Sequence, residues 1–246
     1  MVQLGKTGFT SLLVAVLFVS ACASSTTSPT PTVEPDDTDQ PAPPPSPPTP
    51  PPPPPPVPPQ PSAMSDLFPQ TLYLCPLMNI QNKPDGIDGL QITSYTPLAL
   101  INNSVPLARA PVEKSCFSSG FGMRTRSDGS QRPHKGIDLH NASSVNILAA
   151  GDGIIRQVLY DNGYGQFIVI EHGSGVFTRY AHLNSYSAGL EEGVSVKAGD
   201  VIGRMGTTPS VAMHLHYEVL IGNWVGGSSA SYLLDPIDVM TQPAAN

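Results

Sequence analysis

A proline-rich stretch sets the limits on what this chain can fold into. Proline occupies 19 of the 33 positions from Pro29 to Pro61, out of 29 prolines in 246 residues. Proline lacks the amide hydrogen that helices and sheets use, and a segment with so few apolar side chains cannot bury enough surface to fold. We therefore expect residues 22–61 to be a disordered tether in an extended polyproline II conformation. At about 3.1 Å per residue, its proline-rich part spans on the order of 100 Å.

The residues before the tether have the features of a bacterial export signal. Lys6 precedes an apolar stretch at residues 9–19, which is short for a membrane span. The sequence VSAC at 19–22 follows and resembles a lipobox, which predicts a signal peptide at residues 1–21 and lipidation of Cys22. The alternative is an ordinary signal peptide cut beside Cys22, with the cysteine incidental.

Lipidation predicts an exported lipoprotein that is anchored to the membrane through Cys22. Ala23 follows the cysteine where an aspartate would signal retention, so in a Gram-negative cell we expect the outer membrane, facing the periplasm. In such an oxidising compartment the two remaining cysteines, Cys75 and Cys116, are expected to form a disulfide. Two buried free thiols are the alternative.

The charge pattern argues against a nucleic-acid partner. The formal net charge is −7, and no cluster of Lys and Arg stands out along the chain. Residues 62–114 contain short apolar runs split by Pro and Gly, without a helical period, and are expected to form a small N-terminal cover region. Residues 115–240 are expected to form the main domain and 241–246 a tail, and we expect a monomer.

From Cys116 onward the sequence indicates short strands separated by glycine turns. Apolar strands are predicted at 153–160, 166–171, 176–181 and 214–221, with turns at Asn162-Gly163 and at residues 172–175. No segment after the signal has a sustained helical period. The predicted fold class is therefore mostly β, a compact antiparallel sheet domain.

Two short patterns carry residues suited to metal chemistry. His134 and Asp138 form an HxxxD pattern, and His214 and His216 form an HxH pattern. Side chains an even number of residues apart return to the same face of a strand, so the two patterns can converge from neighbouring strands. Imidazole nitrogen and carboxylate oxygen are suitable zinc ligands. Surface histidines or a simple His–Asp hydrogen bond explain either pattern equally well when it is taken alone.

The sequence around these patterns resembles one family over residues 116–239. The motifs, in chain order, are SSGFGMR at 118–124, HKGIDL at 134–139, YG at 164–165, VIEHG at 169–173, RYAHL at 179–183, GDVIG at 199–203 and HLHYEV at 214–219. In this order they resemble the lysostaphin-type peptidoglycan endopeptidases, which are zinc metallopeptidases with a compact antiparallel β domain. One departure is the turn before His214, where TPSVAM replaces a turn of small residues.

The resemblance implies a site and an activity. His134, Asp138 and His216 would bind one zinc ion, and His182 and His214 would be the two further active-site histidines. The implied reaction is hydrolysis of peptidoglycan peptide stems or cross-bridges by a zinc-activated water, with a positively charged imidazole assisting. Glu218 lies on the same strand face as His216 and is not assigned a role.

Three alternatives accompany this interpretation. Some relatives have lost zinc ligands and act as silent wall-binding modules that activate amidases, although all five site positions are filled here. A lipid-anchored structural tether would explain the proline-rich segment but not the histidines. Residues 62–114 would regulate the site if one of their asparagines bound the zinc, and Asn79, Asn82, Asn102 and Asn103 are the candidates.

Overall fold

The structure, a computed structural model, describes residues 61–209, 212–225 and 228–236. The predicted signal peptide, Cys22, most of the tether and the tail lie outside these residues, and their assignments stay predictions. The described residues belong to one structural unit, Pro55–Asn246. No helix among them has the length and apolar character needed to cross a bilayer.

Nearly all regular structure in the described residues is β. The one helix there is α1 (Pro61–Ser65). The first eight strands are β1 (Ile87–Asp88), β2 (Gln91–Ile92), β3 (Leu98–Ile101), β4 (Val105–Ala108), β5 (Cys116–Ser119), β6 (Gly122–Thr125), β7 (Gln131–His134) and β8 (Ile137–His140). The others are β9 (Asn146–Leu148), β10 (Gly153–Asp161), β11 (Gly165–Glu171), β12 (Val176–Tyr186), β13 (Ser195–Val196), β14 (Val201–Met205), β15 (His214–Val225) and β16 (Ser228–Leu234).

A ten-stranded antiparallel sheet is the scaffold. Its strands run in the order β13-β10-β11-β12-β15-β8-β5, with β14 pairing β12 and β9, and β16 pairing β15. The hairpins β1-β2, β3-β4 and β6-β7 form three small separate sheets. The predicted antiparallel β fold is confirmed, and both predicted turns join consecutive strands of the sheet. At the first turn, Asp161 Oδ1 accepts hydrogen bonds from the amides of Gly163 and Tyr164.

The upstream residues contribute to the same hydrophobic core as the large sheet. Leu72, Leu107 and Val112 are buried in one cluster with Phe117 and Tyr180. Burying a large apolar side chain contributes about 1.5–3 kcal/mol each, so residues 64–112 add substantially to the stability of the sheet domain. Backbone hydrogen bonds between Tyr73, Cys75 and Phe117 join this segment to β5.

A disulfide closes the same junction. Cys75 and Cys116 are bonded, with Cα atoms 4.9 Å apart and a separation of 41 residues in sequence. The predicted bridge is therefore confirmed, and the alternative of two free thiols is excluded. On the chain-entropy account, a loop of this length stabilises the folded state by roughly 4 kcal/mol.

Candidate metal centre

Pairing of β8 with β15 brings two of the predicted ligands together. Asp138 on β8 lies directly opposite His216 on β15 in the antiparallel register. His214 and His216 are two residues apart on the same strand, so their side chains leave the same face of the sheet. This part of the site follows directly from strand alternation.

His134 arrives from a different strand. It ends β7, which pairs with β6 in a small separate sheet. A Cβ on Gly136, in the connection to β8, would lie 2.1 Å from the Tyr217 carbonyl oxygen, so only glycine lets the chain pass this close to β15. The two members of the HxxxD pattern thus come from two strands joined by a tight connection, rather than from one extended segment.

Three ligand-type atoms meet in a buried space. His134 Nε2 and His216 Nδ1 each lie 2.9 Å from Asp138 Oδ1 and 2.9 Å from each other. All three side chains are buried. Within the described part of the chain, these residues form a group of His and Asp side chains placed to hold a metal ion.

Hydrogen bonds on the far side of each imidazole set its tautomer. His134 Nδ1 donates to the Gly120 carbonyl at 2.6 Å, and His216 Nε2 donates to Glu218 Oε1 at 3.1 Å. The lone pairs of His134 Nε2 and His216 Nδ1 then face the carboxylate of Asp138. Three acceptors this close repel one another unless a cation or proton lies between them. Two neutral imidazoles and one carboxylate form a donor set that fits zinc, with a fourth position left for water.

Asp138 is held ionised by its neighbours. Burial by itself raises the pKa of this carboxyl, but its contacts with the imidazoles of His134 and His216 outweigh burial and hold the pKa well below its usual value. Arg124 Nη1 donates to the other oxygen, Oδ2, at 2.9 Å and so leaves Oδ1 for the metal position. Burial lowers the pKa of His216, but hydrogen bonds with Asp138 and Glu218 raise it to about 9, so a bound cation would displace a proton there.

Glu218 is a functional residue that the sequence interpretation left unassigned. Its side chain is fully buried, and besides His216 it contacts Arg179, whose Nη1 lies 2.5 Å from Oε2. The Tyr164 hydroxyl donates to Glu218 Oε1 at 2.8 Å, and the Arg179 guanidinium stacks over the Tyr164 ring at 4.5 Å. Glu218 therefore orients His216 and is itself oriented by two partners. The signal for it in the sequence was its even spacing from His214 and His216.

The two remaining histidines of the motifs face the same centre. His182 Nδ1 donates to the Thr208 carbonyl at 2.7 Å, and His214 Nδ1 donates to the Ala212 carbonyl at 2.6 Å. The rings are 4.7 Å apart, and His214 Nε2 lies 3.6 Å from Asp138 Oδ1. Each imidazole therefore keeps its Nε2 available to a substrate or a water.

Both imidazoles are neutral in this arrangement. Burial, followed by the charges of His214 and His216, lowers the pKa of His182 to about 4, and burial also lowers the pKa of His214. The expected positively charged imidazole is therefore not the resting form. His182 also has a φ of +63°, which a non-glycine residue adopts at a cost of about 1–3 kcal/mol. Such strain is typical of residues held in place for function.

The other two histidines serve the structure. His172 Nδ1 donates to the Asp152 carbonyl at 2.8 Å, and Nε2 lies 2.7 Å from the Thr178 hydroxyl, so it links a turn to the sheet. His140 Nδ1 donates to the Met213 carbonyl at 2.5 Å and supports the segment before His214.

The upstream asparagines differ in their relation to the site. Asn102 and Asn103 form the turn between β3 and β4, both with positive φ, and Asn82 donates to the Met123 carbonyl at 3.3 Å. Asn79 lines a groove beside the centre. Asn82 is thus committed to a backbone contact, and Asn79 is the one that faces the site region.

A buried group of two His and one Asp, with two further imidazoles on an antiparallel sheet, is the type of arrangement that binds a single catalytic metal ion in hydrolases. Residues 132–227 match the sequence model of Peptidase family M23, and this range includes all five site residues. Residues 132–227 therefore match an M23 peptidase domain, in agreement with the resemblance drawn from the motifs.

Curated relatives match over the same part of the chain. The DD-carboxypeptidase/endopeptidase Mpg of Neisseria meningitidis serogroup B is 39% identical over 113 residues, which is 45% of this chain and 26% of the relative. The peptidoglycan DD-endopeptidase ShyC of Vibrio cholerae is 34% identical over 116 residues, 46% of this chain and 26% of that protein. The chain thus matches about a quarter of the length of these relatives. A crystal structure of a zinc-containing peptidase from Vibrio cholerae aligns with a TM-score of 0.45 and 26% identity, covering 57% of this chain and 45% of that one.

Proposed function

We propose that this protein is a zinc-dependent endopeptidase that hydrolyses peptide cross-links of bacterial peptidoglycan. One observation carries the proposal: the imidazoles of His182 and His214 lie beside the three candidate metal ligands. The Nδ1 atom of each of these two imidazoles donates a hydrogen bond to a backbone carbonyl. A purely structural zinc site is closed by four protein ligands, whereas the described residues offer three such ligands here. The names of the similar proteins supply the substrate class, because they include peptidoglycan DD-endopeptidases.

His134, Asp138 and His216 would hold the zinc, which when bound polarises the scissile carbonyl and lowers the pKa of a water molecule. His182 and His214 would carry out the proton transfer. Because Nδ1–H of each is engaged by a carbonyl, Nε2 can accept a proton from the attacking water and pass it to the amine nitrogen as the C–N bond breaks. Once protonated, the same imidazole can donate a hydrogen bond to the tetrahedral oxyanion.

The alternative function is a silent wall-binding module that activates amidases. That reading explains the family match but gives no reason for two neutral imidazoles whose Nδ1 atoms are held by carbonyls beside the ligand set. The buried contacts of Glu218 with His216 and Arg179 also maintain a metal-ligand geometry that a silent module does not need. We therefore favour the enzyme.

The test is digestion of purified peptidoglycan fragments, followed by mass spectrometry of the products. We expect cross-linked dimers to become monomers, the reaction to stop with a chelator and to resume with zinc. The His182→Ala protein should keep one zinc per chain and lose at least a hundredfold in rate, since general acid–base catalysis contributes roughly 10²–10⁴-fold. The His216→Ala protein should lose the metal as well. Undiminished cleavage by His216→Ala, or no cleavage by the zinc-loaded native protein, contradicts the proposal.

We also propose that the protein is a lipoprotein anchored through Cys22, with the peptidase domain as a monomer at the end of the tether. The lipobox-like sequence and the proline-rich segment support this arrangement.

A further inference from the structure

A groove extends from the candidate metal centre along the β6-β7 hairpin. Its volume is about 490 Å³, which lies within the range of ligand-binding clefts. Asp138 and His214 form its inner end, so whatever occupies the groove also reaches the centre. The remaining lining includes Met78, Asn79 and Gln81 from the upstream segment and Arg124, Arg126 and Arg132 from the hairpin and its turn.

The hairpin wall is fixed in place by the upstream segment. Gln81 Nε2 donates to the Thr125 carbonyl at 3.0 Å, and the Thr125 amide donates to Gln81 Oε1 at 2.8 Å. A Cβ on Gly120 would lie 1.8 Å from the Asn82 carbonyl oxygen, so the segment packs directly on the backbone that leads into β6. The groove is therefore bounded on two sides by anchored chain.

The β6-β7 hairpin places three arginines, Arg124, Arg126 and Arg132, along one wall of the groove. Arg124 and Arg132 are direct cross-strand partners in the β6-β7 register, and like charges in that position lower stability. Arg124 is committed, since its Nη1 contacts Asp138 and the Ser119 hydroxyl. Within the described ranges, no carboxylate lies within ion-pair distance of Arg132 or Arg126. Arg126 and Arg132 are thus exposed cations beside the candidate metal centre with no ion-pair partner in the described ranges, which indicates an anion-binding wall.

The surrounding charge supports this interpretation. The chain as a whole carries a net charge of −7, yet the groove lining includes three arginines and one acid, the ligand Asp138. Asp128 lies in the turn between β6 and β7, where its carboxylate accepts hydrogen bonds from the amide and hydroxyl of Ser130. These hydrogen bonds lower the pKa of Asp128, and Arg126 also lowers it through its charge, so Asp128 partly offsets Arg126, while the groove lining itself still carries more positive than negative charge.

We propose that Arg126 and Arg132 bind a free carboxylate carried by the peptide substrate close to the scissile amide. The inference rests on the proposed function and specifies its substrate class. The enzyme would select cross-links whose amine-donating residue keeps a free carboxylate and disfavour cross-links in which that carboxylate is amidated. A planar guanidinium suits this role because it pairs with a carboxylate through two parallel hydrogen bonds.

The test compares two matched substrates and three variants of the full-length, zinc-loaded protein. The substrates are muropeptide dimers with the carboxylate free or converted to the carboxamide. The variants are Arg132→Gln, Arg126→Gln and, as a control with the same change in charge, Arg156→Gln, which lies on β10 away from the groove. Stem-peptide monomers lack the cross-linking amide that the proposed reaction hydrolyses, so their free and amidated forms also serve as ligands for titration calorimetry.

We expect the native protein to prefer the free carboxylate by about tenfold or more, in both KM and the dissociation constant, as a charged hydrogen bond of this kind implies. Arg132→Gln and Arg126→Gln should abolish the preference and leave the zinc content unchanged. Arg132→Gln should also be no less stable to heat, because it removes a like-charge pair. The Arg156→Gln protein should keep the full preference.

The two proposals fail in different ways. Equal use and equal binding of both forms by the native protein, or a preference that survives both arginine substitutions, would overturn the carboxylate inference while cleavage continues. Absence of cleavage of either dimer, together with an arginine-dependent preference among the monomers, would overturn the endopeptidase and retain the carboxylate site.

Discussion

At the scale of single residues, the metal centre depends on side chains behind the ligands as well as on the ligands. Glu218 accepts the hydrogen bond that makes His216 present Nδ1, and Arg179 and Tyr164 hold Glu218 in turn. The Glu218→Gln protein should bind zinc about 10–100-fold more weakly, the usual effect of removing a carboxylate behind a ligand histidine. Competition with a chromogenic chelator measures this affinity.

A matched control is available elsewhere in the same sheet. Glu171 on β11 also pairs with an arginine, Arg156, but does not contact the ligand histidines. Glu171→Gln should therefore leave zinc affinity unchanged. Equal zinc affinity in the two variants would show that Glu218 serves packing alone.

Residue identities were the most predictable part of the site. The HxxxD and HxH patterns pointed to His134, Asp138, His214 and His216, and the family resemblance added His182. The structure brings these five side chains together. The protonation of the imidazoles was not predictable, because it depends on burial and on which carbonyl each Nδ1 meets. These contacts come from segments that no short motif joins.

At the scale of elements, a single glycine decides whether two strands can supply one site. Gly136 passes so close to Tyr217 on β15 that an added Cβ would overlap the carbonyl oxygen. Gly136→Ala must push β7 and β8 away from β15, which we expect to cost about 1–3 kcal/mol of stability, as overpacking generally does. Zinc affinity should fall too, because His134 moves relative to Asp138.

The control is Gly163→Ala in the β10-β11 turn, where an added Cβ meets a side-chain oxygen at 3.4 Å, an ordinary contact. Thermal unfolding and zinc titration of the two proteins provide the comparison. If Gly136→Ala matched Gly163→Ala in both measurements, the close approach would not matter for the site.

Strand positions were predictable because short apolar runs bounded by glycine turns are local signals, as in β10, β11 and β15. Two features were not. The strand order depends on long-range pairing such as β15 with β8, which is not encoded in any one window. The apolar runs between residues 64 and 112 have no period, so their burial in the main core became visible only in three dimensions.

At the scale of the whole molecule, the peptidase domain includes its upstream segment. Residues 64–112 share the core, the disulfide fastens them to β5, and Gln81 fixes the groove wall. Among the residues whose burial is described, Met64 is the first buried side chain, three positions after Pro61. A tether joined at that point can set the distance of the groove from a membrane without altering the fold.

This arrangement predicts that anchoring and catalysis are separable. Cys22→Ser should abolish lipid attachment and move the protein from the membrane fraction to the soluble exported fraction, while purified protein keeps its zinc content and its rate on soluble muropeptides. Metabolic labelling with a fatty-acid analogue and fractionation measure the first effect.

The control is Ser24→Ala, two residues further on, which should remain labelled and membrane-bound. Because a single acyl chain gives only marginal binding and a lipidated cysteine carries several, loss of this one thiol should release nearly all of the protein. Continued labelling of Cys22→Ser would rule out lipidation at this residue and would leave the proposed chemistry of the metal centre untouched.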